Sequence, residues 1–333
     1  MTRLRPLAAL LLVALVAMLA ASCGGGDGGS EGADVRVALV TDIGGLNDRG
    51  FNSLANQGLE RAESELGVQG RVFISKAASD YVPNLTSAAR EYDLVVAVGF
   101  LMGDALATVA QQFPDTDFAI VDYPWSALEG APPNVRGLVF AEQEAGYLAG
   151  VAAATVATGG TISAVGGQAV PAVVAFLAGY RAGAKATDQS VRVIQGYSQD
   201  FVDQAKCTEL ALTQIARGSK VVFAAAGGCG LGALQAAKER NAWGIGVDAD
   251  QGYLGDFILT SAVKKVDVAV YDTIQAVVDD SFAGGEDSLY DVSNDGVGYG
   301  EVSERAPDRD ALIETLDDVS QQIADGEIDV PRS

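Results

Sequence analysis

The chain of 333 residues contains no histidine, so Ser-His-Asp and Cys-His chemistry and any His-ligated metal are excluded. Basic residues are scarce. Lys and Arg number 22 against 44 Asp and Glu, for a formal charge of −22. That balance opposes nucleic acid and anionic lipid surfaces, which attract Lys and Arg. Proline is sparse at 9, cysteine at 3, and only one long apolar run occurs. What is abundant is apolar residues, at 49%, and glycine, at 40 residues. An acidic disordered chain would not carry that apolar fraction, and the length suits roughly two domains.

The one long apolar run, Leu7 to Ala21, is 15 residues, too short for a comfortable span and suited to the core of an export signal. Arg3 and Arg5 precede it, and Ala20, Ala21 and Ser22 lead into Cys23. Residues 1–22 therefore read as a signal peptide, and Cys23 as a lipidated N-terminal cysteine. Residues 24–32, GGGDGGSEG, form a flexible tether. The body is expected to be extracytoplasmic and held to the cell membrane by lipid. In that setting Cys207 and Cys229 are expected to pair as a disulfide, the alternative being two buried thiols.

Short Val-, Ile- and Phe-rich runs at 35–41, 71–75, 93–98, 117–121, 135–140, 161–165, 191–195, 220–225, 243–247 and 257–261 read as strands buried on both faces. Helical patterns separate most of them, including 49–66, 103–112, 142–157, 170–186, 200–217, 230–240 and 263–281. Such alternation means α/β architecture with parallel sheets. Ten strands divide most simply into two doubly wound lobes. The chain is expected to cross between them near 138–142, 255–262 and 285–295. This assigns 23–34 to the anchor and tether, 35–138 plus 259–288 to an N-terminal lobe, and 139–258 plus 289–333 to a C-terminal lobe.

Ligands of such sheets bind beyond the carboxyl ends of the strands. Those ends carry Asp42, Asn47, Asp48, Phe51 and Asn52, then Asp122, then Phe201 at an expected helix start, then GGCGLG, then Asp248 and Asp250, then Lys264 and Lys265. Taken singly, each has an ordinary explanation: a helix cap, a core ring or a solvated charge. Together they suit a polar, ring-containing small molecule, with rings stacking on Phe, carboxylates accepting and Lys donating. Gly228, Gly230 and Ala233 match the dinucleotide pattern G-x-G-x-x-A, with Asp248 20 residues after Gly228. The segment 227–233 thus admits an NAD-dependent enzyme. Against that reading, the match lies mid-chain in an exported protein.

At these residues the chain resembles the basic membrane lipoprotein family, the type I substrate-binding proteins of ABC importers. Characterised members of that family include purine nucleoside receptors. The motifs are DIGGLNDRGFN (42–52), VVAVGFLMGDAL (95–106), FPDTDFAIVD (113–122), VFAEQEAGYLAG (139–150), FLAGYRAGAK (176–185), AAAGGCGLG (224–232), IGVDADQ (245–251) and LTSAVKKVD (259–267). The resemblance implies a clamshell joined by a hinge. Phe51 and Phe201 would sandwich a base, Asp122 would bond its edge, and Gly227 would offer backbone. Asp248 and Lys264 would hold ribose hydroxyls, while Asp42, Asn47 and Asn52 would line the first-lobe side. The Cys207–Cys229 bridge would stiffen the second-lobe wall. The partners implied are a purine nucleoside and a membrane permease, with no cofactor, metal, catalysis or nucleic acid, and with a monomeric body. A surface sensor on the same fold is the alternative, because fold alone does not fix function. A nucleoside hydrolase is disfavoured, since no nucleophile-activating pattern accompanies the carboxylates.

Overall fold

The computed structural model describes residues 35–333; the leader, Cys23 and the tether lie outside them. The apolar runs become two six-stranded sheets. The first contains β1 (Arg36–Thr41), β2 (Gln69–Phe73), β3 (Leu94–Val98), β4 (Asp117–Val121), β5 (Val135–Phe140) and β11 (Glu286–Tyr290). Its order is β11-β5-β4-β3-β1-β2, parallel throughout. The second contains β6 (Thr161–Gly166), β7 (Arg192–Tyr197), β8 (Ser219–Ala225), β9 (Trp243–Asp248), β10 (Ile258–Lys264) and β12 (Val297–Tyr299). Its order is β12-β10-β9-β8-β6-β7, parallel except for β12, which runs against β10. The two orders are the same walk repeated, so β4 and β9 are counterparts, as are β5 and β10.

Every residue of β3 is buried, as a central strand covered on both faces requires. Between strands run α1 (Phe51–Leu66), α2 (Tyr81–Ala89), α3 (Gly103–Ala110), α4 (Glu142–Ala157), α5 (Pro171–Thr187), α6 (Gln204–Ala216), α7 (Gly227–Glu239), α8 (Val266–Val278) and α9 (Arg309–Ala324). Helix α1 stops at Gly67, whose φ of 74° only glycine adopts cheaply. Helix α5 opens on Pro171, whose fixed φ suits a first turn. Helices α4 and α5 pack backbone to backbone. A Cβ on Gly146 would lie 2.2 Å from the Phe176 carbonyl oxygen, and one on Gly179 1.9 Å from that of Gln143.

Several boundaries differ from the sequence expectation: residues 139–140 and 289–290, expected in the C-terminal lobe, pair with one another in the first sheet. Residues 259–264 belong to the second sheet, because β10 pairs with both β9 and β12. The second crossing therefore falls at 264–266, after Lys264. Lys264 ends β10, three residues beyond the expected strand end at 261, and is 2% exposed, its charge met by carboxylates. Phe201 precedes α6 rather than starting it: Asp203 caps the helix, its carboxylate accepting from Ala205 N at 3.0 Å. Strands β11 and β12 and helices α2 and α9 had no counterpart in the sequence expectation. Strand β11 is an exposed, polar edge (EDSLY), and β12 is three residues long, so neither offers an apolar run.

Candidate functional site

The carboxyl ends of the two sheets face one another around a small cavity. About 70 Å³ is open to the centre of a water molecule. That is several times the roughly 10–15 Å³ one water needs, and it suits a single small molecule rather than a polymer.

The first lobe lines the cavity mainly from the loop after β1. Asp42 and Asp48 are 7% and 3% exposed. Asn52 Nδ2 donates to Asp42 Oδ1 at 2.8 Å and to Asp48 Oδ2 at 3.1 Å. Asp48 also accepts from the backbone amides of Gly50, Asn52 and Ser53 at the start of α1, where a carboxylate complements the helix N-terminus. Asn52 thus orders two carboxylates instead of leaving its amide free. Burial pushes the Asp42 carboxyl up to about 6, against the opposing effect of the Asn52 hydrogen bond. Asn47 is not brought to this cavity: it is exposed and lies on an outer groove beside Arg49. Its neighbour Asp48 lines the chamber instead.

Aromatic rings come from both lobes. Phe51, the first residue of α1, and Phe201 are each partly buried and line the same cavity, so neither is an ordinary core residue. Phe201 is held from behind: its carbonyl oxygen accepts from Cys229 N at 2.9 Å. Cys229 forms the disulfide with Cys207, Cα to Cα 5.6 Å, tying the start of α7 to α6. The sequence expectation had assigned no role to Phe176 or Phe100, which also line the cavity. Phe176 stood inside a quoted motif, but its helical spacing reads as core, and its 2% exposure accounts for that.

The glycine-rich turn now has a packing explanation. Gly227, with φ of 54°, turns the chain into α7 at the cavity wall. A Cβ on Gly230 would sit 3.1 Å from the Ala224 oxygen of β8, and one on Gly232 2.1 Å from the Gln204 oxygen of α6. Within the pattern that mimics a dinucleotide fingerprint, close helix–strand contact thus accounts for Gly230, whereas a Cβ on Gly228 would meet nothing nearer than the Phe201 oxygen at 3.5 Å. The Asp248 that would complete the fingerprint faces Lys264 instead.

The charged centre joins the lobes. Asp122 follows β4 and Asp248 ends β9, counterpart positions, and both adopt left-handed backbone, φ 66° and 62°. Such conformations in non-glycine residues cost energy and cluster at functional sites. Lys264 Nζ, from the second sheet, donates to both oxygens of Asp122 of the first lobe, at 2.9 and 2.8 Å. It lies 3.9 Å from Asp248 and 3.8 Å from Glu142. Its ammonium also sits 4.8 Å from the centre of the Phe51 ring. Burial opposes the lysine charge, but Asp122, Asp248 and Glu142 outweigh it and hold the group above the ordinary lysine value. Burial pushes Asp248 and Glu142 up to about 7 even though Lys264 pulls both down. A buried ion cluster of this kind needs all its members, because removing one leaves the others uncompensated.

Four carboxylates, one ammonium and several rings around one small chamber are a recognition surface without a nucleophile–base pair. A family model described as ABC transporter substrate-binding protein PnrA-like matches residues 35–333. The chain belongs to this family. It is 35% identical over 346 aligned positions to the ABC transporter nucleoside-binding protein BmpA of Lactococcus lactis, covering 97% of this chain and 96% of that one. It is 38% identical to a lipoprotein of Pyrococcus abyssi, over 87% of this chain and 74% of the other. Among solved structures, an ABC transporter solute-binding protein from Aeropyrum pernix superposes with a TM-score of 0.81 at 28% identity, covering 90% and 94% of the two chains. The protein is therefore a substrate-binding protein of the ABC-transporter type, and its family is one of binding proteins rather than enzymes.

Proposed function

We propose that this protein is an extracytoplasmic lipoprotein, anchored through Cys23, that captures a purine nucleoside between its lobes and delivers it to a membrane permease. The observation that carries the ligand class is the convergence of Phe51 and Phe201, from opposite lobes, on one chamber with Asp248 and Lys264. A flat base stacks between the rings, while the ribose hydroxyls bond Asp248 and Lys264. Asp122 serves the base edge with the lone pairs its pairing with Lys264 leaves open, since a carboxylate has about four acceptor sites. Asp42 lines the first-lobe side and the Gly227 backbone the second. The nucleoside-binding name of the Lactococcus lactis relative supports the same class. Ligand bridging both lobes favours the closed state, and no bond is made or broken. The body acts as a monomer.

Four lining carboxylates against one lysine favour a neutral ligand over a phosphorylated one. A thermal-shift panel of nucleosides, free bases, sugars and nucleoside monophosphates tests this, because a ligand of the native state raises its melting temperature. Purine nucleosides are expected to stabilise the protein and their monophosphates to leave it unchanged. Stabilisation by a sugar and by no nucleoside would refute the ligand class.

A further inference from the structure

Glu142 is buried to 3% exposure but does not line the ligand cavity. It is the first residue of α4, at the crossing from β5 into the second lobe. One carboxylate oxygen, Oε1, lies 3.8 Å from Lys264 Nζ, and the other, Oε2, lies 3.5 Å from a guanidinium nitrogen of Arg332. The same Arg332 nitrogen donates to the carbonyl oxygen of Phe140, the last residue of β5, at 2.8 Å. Beyond α9 the chain thus returns to the lobe crossing, with Val330 buried beside it. Arg332, Glu142 and Lys264 form a line of alternating charge from the outer surface to the cavity wall.

We propose that Glu142 and Arg332 are positioning residues for Lys264: Arg332 holds the Glu142 carboxylate in place, and Glu142 holds the lysine ammonium toward Asp122 and Asp248. Neither touches the ligand. Without Glu142 the ammonium has partners only on the cavity side and swings toward them. Without Arg332 the Glu142 carboxylate keeps a single cation, which it shares with two aspartates. The effect on affinity rests on the reading of Lys264 as a ligand contact; the effect on Lys264 itself does not.

The groups facing Glu142 set its response to pH. Burial is the largest and raises its pKa to about 7, with Lys264 and Arg332 lowering it and Asp122 raising it. Glu144 on the same helix also feels Arg332, and Asp287 of β11 lines the same outer groove. Removing Arg332 therefore moves protonation of Glu142 to higher pH.

Two readouts on the full chain test the proposal. The first is the rate at which an amine-acylating reagent labels Lys264, followed by peptide mass spectrometry; it needs no ligand. The second is inosine affinity as a function of pH. The Arg332 side chain is more than half exposed, so Arg332→Ala is expected to fold. It should raise Lys264 labelling and weaken inosine binding roughly tenfold. The loss of affinity on acidification should begin at higher pH than in the parent. Arg332→Lys should restore both readouts, and Glu142→Gln should reproduce the labelling change. Unchanged labelling in both Arg332→Ala and Glu142→Gln overturns the proposal, whatever the affinities. Raised labelling in a parent protein that binds no purine nucleoside leaves the positioning roles standing and refutes the ligand class.

Discussion

The two lobes repeat one strand order but do not contribute alike to the cavity. At the counterpart ends of β4 and β9 each supplies an aspartate in left-handed backbone, Asp122 and Asp248. At the counterpart ends of β5 and β10 they diverge: the first lobe ends in Phe140 and the second in Lys264. The first-lobe loop adds Asp42 and Asp48, whereas the second lobe adds Phe201 and a disulfide behind it. Repetition placed equivalent backbone around the cleft, and one divergent position made the lobes electrically complementary. The buried lysine of the second lobe pairs with Asp122 of the first, so the strongest ion pair of the cavity crosses between the lobes.

The most severe way to break that complementarity is Lys264→Met, which leaves Asp122, Glu142 and Asp248 buried without their shared cation. It should cost about 3–5 kcal/mol in a urea melt and abolish ligand binding. Breaking only the second-lobe brace is milder. The Cys207–Cys229 bridge spans 22 positions, and Cys207→Ser with Cys229→Ser should lower stability by about 3 kcal/mol. Weaker nucleoside binding than that loss alone explains would show that the brace also orders Phe201.

Truncating one ring from each lobe sharpens the comparison further. Phe51→Ala and Phe201→Ala should each cost about 1–3 kcal/mol of nucleoside affinity by calorimetry, the range for a ring stacked on a base. Phe51→Ala should cost more, because that ring also lies against the Lys264 ammonium. Equal and negligible losses would remove stacking from both walls.

The smallest effect is on pH dependence. The carboxyls of Asp42, Glu142 and Asp248 are raised in the folded state, to about 6, 7 and 7. The folded protein therefore holds their protons more tightly than the unfolded chain. Their contribution is full below about pH 4 and is lost as pH rises through 6 to 7. The ligand-free protein should melt a few degrees higher at about pH 5 than at about pH 8. Asp248→Asn should flatten that slope.

Most of this architecture was legible in the sequence because buried parallel strands are continuous apolar runs. The expected bounds of β4, β5 and α4 agree with the structure residue for residue. Elements whose signal is not apolar continuity went unseen. The edge strand β11 is polar, and α9 is an acidic helix whose stripe of Leu312, Leu316, Val319 and Ile323 carried the only cue. Strand-end reasoning named Asp42, Asp122, Asp248 and Lys264, which all line the cavity, because together they fall at one edge of the sheets although each alone has an ordinary explanation. It named both Asn47 and Asp48, and the family resemblance favoured Asn47; the structure turns Asp48 to the cavity and Asn47 outward, an alternation in a tight loop that spacing does not resolve. Glu142 stood inside a motif without a role, since a glutamate opening a helix reads as an ordinary dipole partner.

The central claim is that one chamber, walled by a phenylalanine from each lobe and charged by a lysine from one, holds a purine nucleoside. A crystal structure of the protein grown with inosine tests it most directly. The account predicts the base between Phe51 and Phe201 and the ribose hydroxyls on Asp248 and Lys264, with the lobes closed over them. Inosine bound elsewhere, or bound in this chamber with its ribose between the rings and its base on the lysine, would contradict it.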